Sequence, residues 1–211
     1  MSVVQKWSIW FFLTVTAVII SYFWIDRPVA VFAHNHLQRF DVFAMLTYIP
    51  EVMTPILIVA FVMLGLHALT GRRLSGIHTV VVLAAASLAV AEVAKDQLKF
   101  VFGRTWPETW VLNNPSFVND GVYGFNPFHG GPGYASFPSG HTTAICAVMS
   151  VLWICYPRLR APYAICIVAV AIGLIGANFH FFGDVIAGGF LGALAGRLTV
   201  TISMSAANNM D

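Results

Sequence analysis

Two short strings hold most of the side chains able to do chemistry in this chain: Pro138-Ser139-Gly140-His141 and His180-Phe181-Phe182-Gly183-Asp184. Each lies where a long apolar stretch meets a polar segment, a position where ionisable side chains are costly unless something uses them. His180 and Asp184 are four residues apart, so a helical junction puts them on one face. A carboxylate that accepts a proton from one imidazole nitrogen orients the ring and makes the other nitrogen a better nucleophile or base. Ser139 and Gly140 offer a hydroxyl and backbone N–H groups where a helix begins, an arrangement that favours anions. His141, in the same turn, can protonate a departing alkoxide. Lys99 and Arg104 add the positive charge and donors that a phosphoryl group in flight demands. The parts add up to phosphoryl transfer through a covalent phosphohistidine.

The elements that must position these groups are membrane helices. Of 211 residues, 58% are hydrophobic and only 9% charged, against roughly 25% charged in a soluble domain. The formal net charge of +2 and the lack of a basic tail argue against nucleic acid. Cys146, Cys155 and Cys166 fall inside apolar runs and read as small core residues, with no disulfide or metal-type spacing. The run from Trp7 to Ile25 has the length of a bilayer crossing and no cleavage site after it, so it reads as an anchor that stays.

Six spans are expected: Trp7 to Ile25, Glu51 to Arg72, Arg73 to Lys95, Ser139 to Tyr156, Pro162 to His180, and Asp184 past Arg197. In the sixth, Gly188, Gly192 and Gly196 recur every four residues and give a smooth face for close packing. Arg197 snorkels at its far end. The segment from Asp26 to Glu51 suggests a short interfacial amphipathic helix after span one. Gly103 to Phe137, rich in Gly, Pro, Asn and aromatics, suggests an ordered loop between spans three and four with little regular structure. The expected fold class is therefore an all-α, six-transmembrane-helix bundle, one domain over residues 1–211. The basic turns Gly71-Arg72-Arg73-Leu74 and Pro157-Arg158-Leu159-Arg160, with Lys6, put one face in the cytoplasm. On that topology His141, His180, Lys99 and Arg104 share the opposite, extracytoplasmic face.

Here the chain resembles the type 2 phosphatidic acid phosphatase family, whose pattern is K-x6-R-P, then P-S-G-H, then S-R-x5-H-x3-D. Lys99 falls on the first position and Pro107 on the proline; Pro138 through His141 match the second block; His180 and Asp184 match the end of the third. Two family arginines are absent, with Trp106 in place of one and Gly173-Leu174 in place of the Ser-Arg pair. Arg104, two residues before Trp106, is the candidate replacement for one, and His129 in the loop could reach toward the site. The resemblance implies a metal-independent lipid phosphatase of a bacterial cytoplasmic (inner) membrane with its site on the periplasmic side. His180 is then the nucleophile, Asp184 its orienting carboxylate, His141 the acid, and Lys99, Arg104, Ser139 and Gly140 the phosphate-binding groups. Expected substrates are phosphatidic acid, phosphatidylglycerol phosphate, an isoprenyl diphosphate or a lipid A phosphate, reached from the bilayer. No cofactor, metal, nucleic acid or obligatory protein partner is expected.

Several residues have plainer readings. A lipid phosphotransferase would use the same site, and a non-catalytic lipid-binding or transport protein is the rival of another class. Charges midway along several spans and inverted repeats would mark a transporter; here the charges collect at one face. Glu92, Lys95 and Asp96 are expected to satisfy one another along the last turns of span three. His34, His36, His67 and His78 read as interfacial or packing residues. Tyr123, Phe125, Phe128 and Tyr134 are candidates to line a headgroup cleft.

Overall fold

The structure, a computed structural model, describes residues 3–71, 74–110 and 112–208. Arg72 and Arg73, on which one basic turn rests, lie outside the described residues. The helices are α1 (Val3–Ile20), α2 (Asp26–Phe32), α3 (Asp41–Leu69), α4 (Gly76–Phe102), the single turn α5 (Phe117–Asp120), α6 (Gly140–Cys155), α7 (Arg160–Gly176) and α8 (Phe182–Asn208). Among the described residues there is no strand, only isolated bridges that knit the loop around Arg104 and Trp106.

Five helical runs are long and apolar enough to cross a membrane, and this is an integral, multi-pass membrane protein. Their large apolar side chains face outward, among them Trp10, Phe12, Ile56, Val59 and Ile165, as a lipid-facing surface requires. The expected fourth span, α6, is apolar but has only 16 residues. It is the best-buried helix, with Ile145, Ala147 and Val151 fully enclosed, and it packs on α8, α4, α7 and α3. A helix wrapped by others does not need its own lipid-facing length.

Two boundaries differ from the sequence expectation. The segment after α1 is not a separate interfacial helix: Val4–Leu37 is one helical run, interrupted by π-helical turns at Ser21–Ile25 and Ala33–Leu37. The π turns keep the chain helical while shifting its face, so that Ser21, Asp26, Ala30 and Ala33 all turn inward. The second span begins at Asp41, not Glu51, because Pro50 and Pro55 are accommodated inside α3. Membrane helices tolerate such prolines where neighbours re-satisfy the freed carbonyls. Glu51 thereby lies within the helix.

The loop between α4 and α6 is ordered and mostly irregular, closed by its own hydrogen bonds such as Phe117 N–H to the Trp106 carbonyl at 2.9 Å and Ser136 N–H to the Arg104 carbonyl at 3.1 Å. Gly103 opens it in the left-handed region at φ 56°, where a side chain would collide with the Asn126 carbonyl. The three cysteines are free.

The glycine face of α8 fits directly against α6. A methyl on Gly188 would come 2.5 Å from the Ser139 carbonyl oxygen, and one on Gly196 would come 2.7 Å from Ser150 Cβ. A methyl on Gly192 would strike the Thr143 carbonyl and lie 2.7 Å from Ala147 N. This seam sets the distance between the helix that begins with His141 and the helix that begins next to His180. Gly192→Ala is therefore expected to destabilise the protein by about 1–3 kcal/mol through overpacking. Gly65→Ala, which meets nothing within 4 Å, is the matched control. Thermal unfolding in detergent measures both, and equal melting temperatures would contradict the seam.

Candidate active site

His180 follows the end of α7 and precedes α8. Its backbone N–H bonds the Leu174 carbonyl at 3.4 Å, and its ring is 5% exposed. Nδ1 points to the carboxylate, 3.5 Å from Asp184 Oδ2, with Ser136 Oγ 3.4 Å away. His180 also borders a cavity of about 760 Å³ that His141, Gly140, Lys99, Lys95, Glu92, Glu51, Trp106 and Trp110 line. The two sequence strings thus meet in space. The Ser139 N–H donates to the Asp184 carbonyl oxygen at 3.1 Å, a direct backbone tie between them.

Asp184 is fully buried and saturated. Oδ2 accepts from Ser136 Oγ at 2.6 Å and from the Phe181 N–H at 3.1 Å; Oδ1 accepts from Arg104 Nη1 at 2.5 Å. Such a carboxylate can hold the imidazole beside it in one orientation. Burial pushes the His180 imidazole below its ordinary pKa; the Asp184 carboxylate opposes this, while Lys99 and His141 act in the same direction as burial. The ring therefore stays neutral, with a lone pair on Nε2, to a lower pH than an exposed histidine.

Lys99 reaches the cavity from the end of α4, its ammonium 6.0 Å from the Trp106 ring centre. A methyl on Gly140 would come 3.9 Å from Lys99 Nζ and 3.7 Å from Lys95 Nζ, so two ammonium groups flank the first turn of α6. Lys95 is paired with Glu92 at 2.5 Å and Asp96 at 3.2 Å, as the sequence suggested for that trio. Ser139 is buried beneath Gly140, and its Oγ has no hydrogen-bond partner. It is not among the residues that line the cavity.

Arg104 is placed elsewhere than at the cavity. It is fully buried. Nη1 is held by Asp184, and Nη2 by Asp26 at 2.6 Å and the Tyr123 hydroxyl at 3.1 Å. The rings of Phe181, Phe125, Tyr123 and Tyr22 enclose it, at 4.4 to 5.5 Å from the guanidinium carbon. Burial disfavours the charged guanidinium, but Asp184 and Asp26 outweigh it and raise its pKa. A cation so enclosed points away from the phosphate-binding role that the sequence suggested. Tyr123 and Phe125 correspondingly wrap this ion pair and not a headgroup cleft. His129 lies tilted against Tyr134 at 4.1 Å between ring centres and shares a smaller cavity with Lys99.

Positions 173 and 174 show why a Ser-Arg pair is absent there. Gly173 lies against α3, where a methyl would come 2.7 Å from the Phe43 carbonyl oxygen, and Leu174 is fully buried with Ile145 and Val170. Trp106 lies tilted against His180 at 5.0 Å between ring centres, its Nε1 donating to the Pro132 carbonyl at 2.7 Å.

Four participants escaped the sequence reading. Asp26 joins Arg104 and accepts from Ser21 Oγ at 2.5 Å and the Gly183 N–H at 2.9 Å. Ser136 holds Asp184. Glu51 lies 3.1 Å from His141 Nε2. Glu108 is buried and binds His34 Nδ1 at 2.5 Å and Asn178 Nδ2 at 3.0 Å, which gives His34 the partner it lacked in sequence. Asp26 and Glu51 did carry a signal: each is a carboxylate within or at the edge of an apolar run.

Residues 80–207 match the family model of the PAP2 superfamily. Over 105 residues, 50% of this chain, the sequence is 31% identical to a lipid A 1-phosphatase of Rhizobium johnstonii. It is 30% identical to a lipid A 1-phosphatase of Rhizobium etli over a stretch of the same length. The matches span 40% and 42% of those relatives' own lengths. The crystal structure of a transmembrane PAP2 type phosphatidylglycerolphosphate phosphatase from Bacillus subtilis has the same fold. Its TM-score is 0.58 at 16% identity, with 95% of this chain and 96% of that one covered.

Two outcomes are expected from this geometry. Arg104→Met leaves two buried carboxylates unpaired, which costs about 3–5 kcal/mol; a melting temperature equal to the parent's would show that the ion pair contributes nothing. In spectra of protein with labelled histidines, the resonance lost in His180→Ala should titrate below the ordinary imidazole value. A midpoint above that value would mean that Asp184, not burial, governs the ring.

Proposed function

The chain belongs to the PAP2 superfamily, and we propose that it hydrolyses a phosphate ester of a membrane lipid through a phosphohistidine. The observation that carries this reading is the shared wall: His180, His141 and Lys99 line one cavity, with Asp184 directly behind His180. His180 Nε2 attacks phosphorus while Nδ1 stays with Asp184. His141 gives its proton to the leaving oxygen, and in the second step the same nitrogen takes a proton from the attacking water. Lys99, the α6 N-terminal N–H groups at Gly140, and Lys95 stabilise the phosphoryl oxygens. Arg104 and Ser136 hold Asp184 in place and do not touch phosphate; the buried Ser139 contributes through its backbone, which ties α6 to Asp184.

In this reading α6 is the fourth of six crossings, all of residues 1–211 serve one domain, and the site opens on the periplasmic side of a bacterial inner membrane. Lys6 and Arg197 line a second cleft together, in keeping with a common opposite end. The cavity wall of Trp106, Trp110 and Phe179 is aromatic and apolar, with the last two rings edge to face. Such faces suit a sugar ring or an acyl-bearing headgroup better than a small hydrophilic ester. Together with the relatives' names, this makes a lipid A 1-phosphate the substrate to try first, before phosphatidic acid, phosphatidylglycerol phosphate and isoprenyl diphosphates.

The test is phosphate release by the purified protein from that panel, in the presence of a chelator. Turnover should persist with chelator. His180→Ala and His141→Ala should each lower kcat by at least about 100-fold, the scale of acid–base and nucleophilic contributions. Unchanged rates in either variant would reject the mechanism. Complete dependence on added metal would reject the metal-free chemistry.

A further inference from the structure

We propose that Glu51 is the positioning residue of the acid His141, an inference that rests on the phosphatase reading above. Between the ends of α3, Glu51 is the sole Asp, Glu, Lys or Arg in an otherwise apolar helix. A carboxylate there is costly unless it has a task. It makes no ion pair with lysine or arginine among the described residues; its partner is His141, whose Nε2 is 3.1 Å from Oε1. The helix turns one face to the cavity, with Pro50, Glu51, Thr54 and Pro55 all on its wall. These four recur at helical spacing. Glu51 is half exposed to that cavity and is not packed away.

The contact fixes which nitrogen of His141 does the work. With the Nε2–H donated to Glu51, the ring cannot turn freely about its bond to Cβ, and Nδ1 is the nitrogen left for the leaving group. In the forward step the P–O bond breaks and its electron pair stays on the leaving oxygen, which takes the Nδ1 proton of the imidazolium. The Nε2 proton remains on its hydrogen bond to Glu51, and the new P–N bond forms to His180. Water then attacks phosphorus and passes a proton to His141 Nδ1, while the P–N electron pair returns to His180. The other charged or titratable groups around the cavity are Glu92, Lys95 and Lys99 from α4 and His180 before α8. None of these is hydrogen-bonded to the His141 ring, so its orientation falls to Glu51.

An acid matters in proportion to how poor the leaving group is, which supplies a readout that a merely structural residue would not move. The full chain, purified in detergent, is assayed for kcat/KM on two phosphate monoesters: a long-chain alkyl phosphate and an aryl phosphate with a nitrophenol leaving group. Glu51→Ala should lose roughly tenfold to a hundredfold on the alkyl ester, the scale of a misplaced catalytic group, and about twofold or less on the aryl ester. Glu51→Gln keeps an acceptor oxygen for Nε2–H and should recover most of the alkyl rate. Equal losses on both esters, no loss on the alkyl ester, or a glutamine variant as slow as the alanine one would each overturn the proposal. His141→Ala separates the two layers of inference. If it shows the leaving-group dependence and Glu51→Ala does not, Glu51 alone is rejected; if neither does, the acid role of His141 falls, and this proposal with it.

Discussion

The buried ion pair of Arg104 with Asp184 and Asp26 is the constraint on which the rest of the site depends. A guanidinium with no exposure to solvent can persist only if its charge is compensated and its donors are used. Two carboxylates and a tyrosine hydroxyl compensate the charge and engage Nη1 and Nη2, only the buried Nε being left without a hydrogen bond, and four aromatic rings close the cage. Each partner comes from a different part of the chain: Asp26 from the extension of the first helix, Tyr123 from the loop, Asp184 from the first turn of α8. The pair therefore fastens the loop and the first helix to the point where His180 must be held. Asp184 has one oxygen committed to Arg104, which leaves the other for Ser136, the Phe181 N–H and the His180 ring.

A second constraint works at the backbone level. The glycines of α8 let it approach α6 to within direct backbone contact, and this closeness allows the Ser139 N–H to reach the Asp184 carbonyl. The two polar strings are thus joined by main chain as well as by the cavity between them. A bulkier seam would separate His141 from His180 even if every polar residue were retained. Packing and proposed chemistry are in this sense the same feature seen at two distances.

How much of this was legible in the sequence differs by residue. The helical class, the first apolar span, the irregular loop and the glycine seam follow from composition and period, because lipid exposure and close packing write themselves into local sequence. That His141, His180, Asp184 and Lys99 come together was legible because ionisable residues next to apolar helix ends mark a shared polar face. Asp26, Ser136 and Glu51 were not, since their roles exist only through contacts across 44 to 157 positions. Arg104 was visible as a cation near the loop, but its direction was not: only the fold decides whether a guanidinium faces the cavity or the core. The start of α3 was misplaced for a related reason. A lone glutamate next to proline reads as a boundary in sequence, whereas in a membrane helix both can be interior.

The missing arginines then have a physical account. Position 173 has no room for a serine side chain against α3, position 174 is filled by core packing, and position 106 holds an indole pressed against His180. With the remaining arginine of the loop locked to carboxylates, the basic side chains of the cavity are Lys95 and Lys99, both on α4 and both beside Gly140. Lysine presents a compact charge without the planar fork of arginine, so phosphate in this cavity would be held by charge and by backbone N–H groups more than by bidentate geometry. The space that arginines would occupy is instead aromatic wall. Relative to the family pattern, the proposed site would exchange bidentate grip on the phosphate for contact with what the phosphate is attached to. Under the proposed function, selectivity would then lie in the body of the lipid more than in its phosphate.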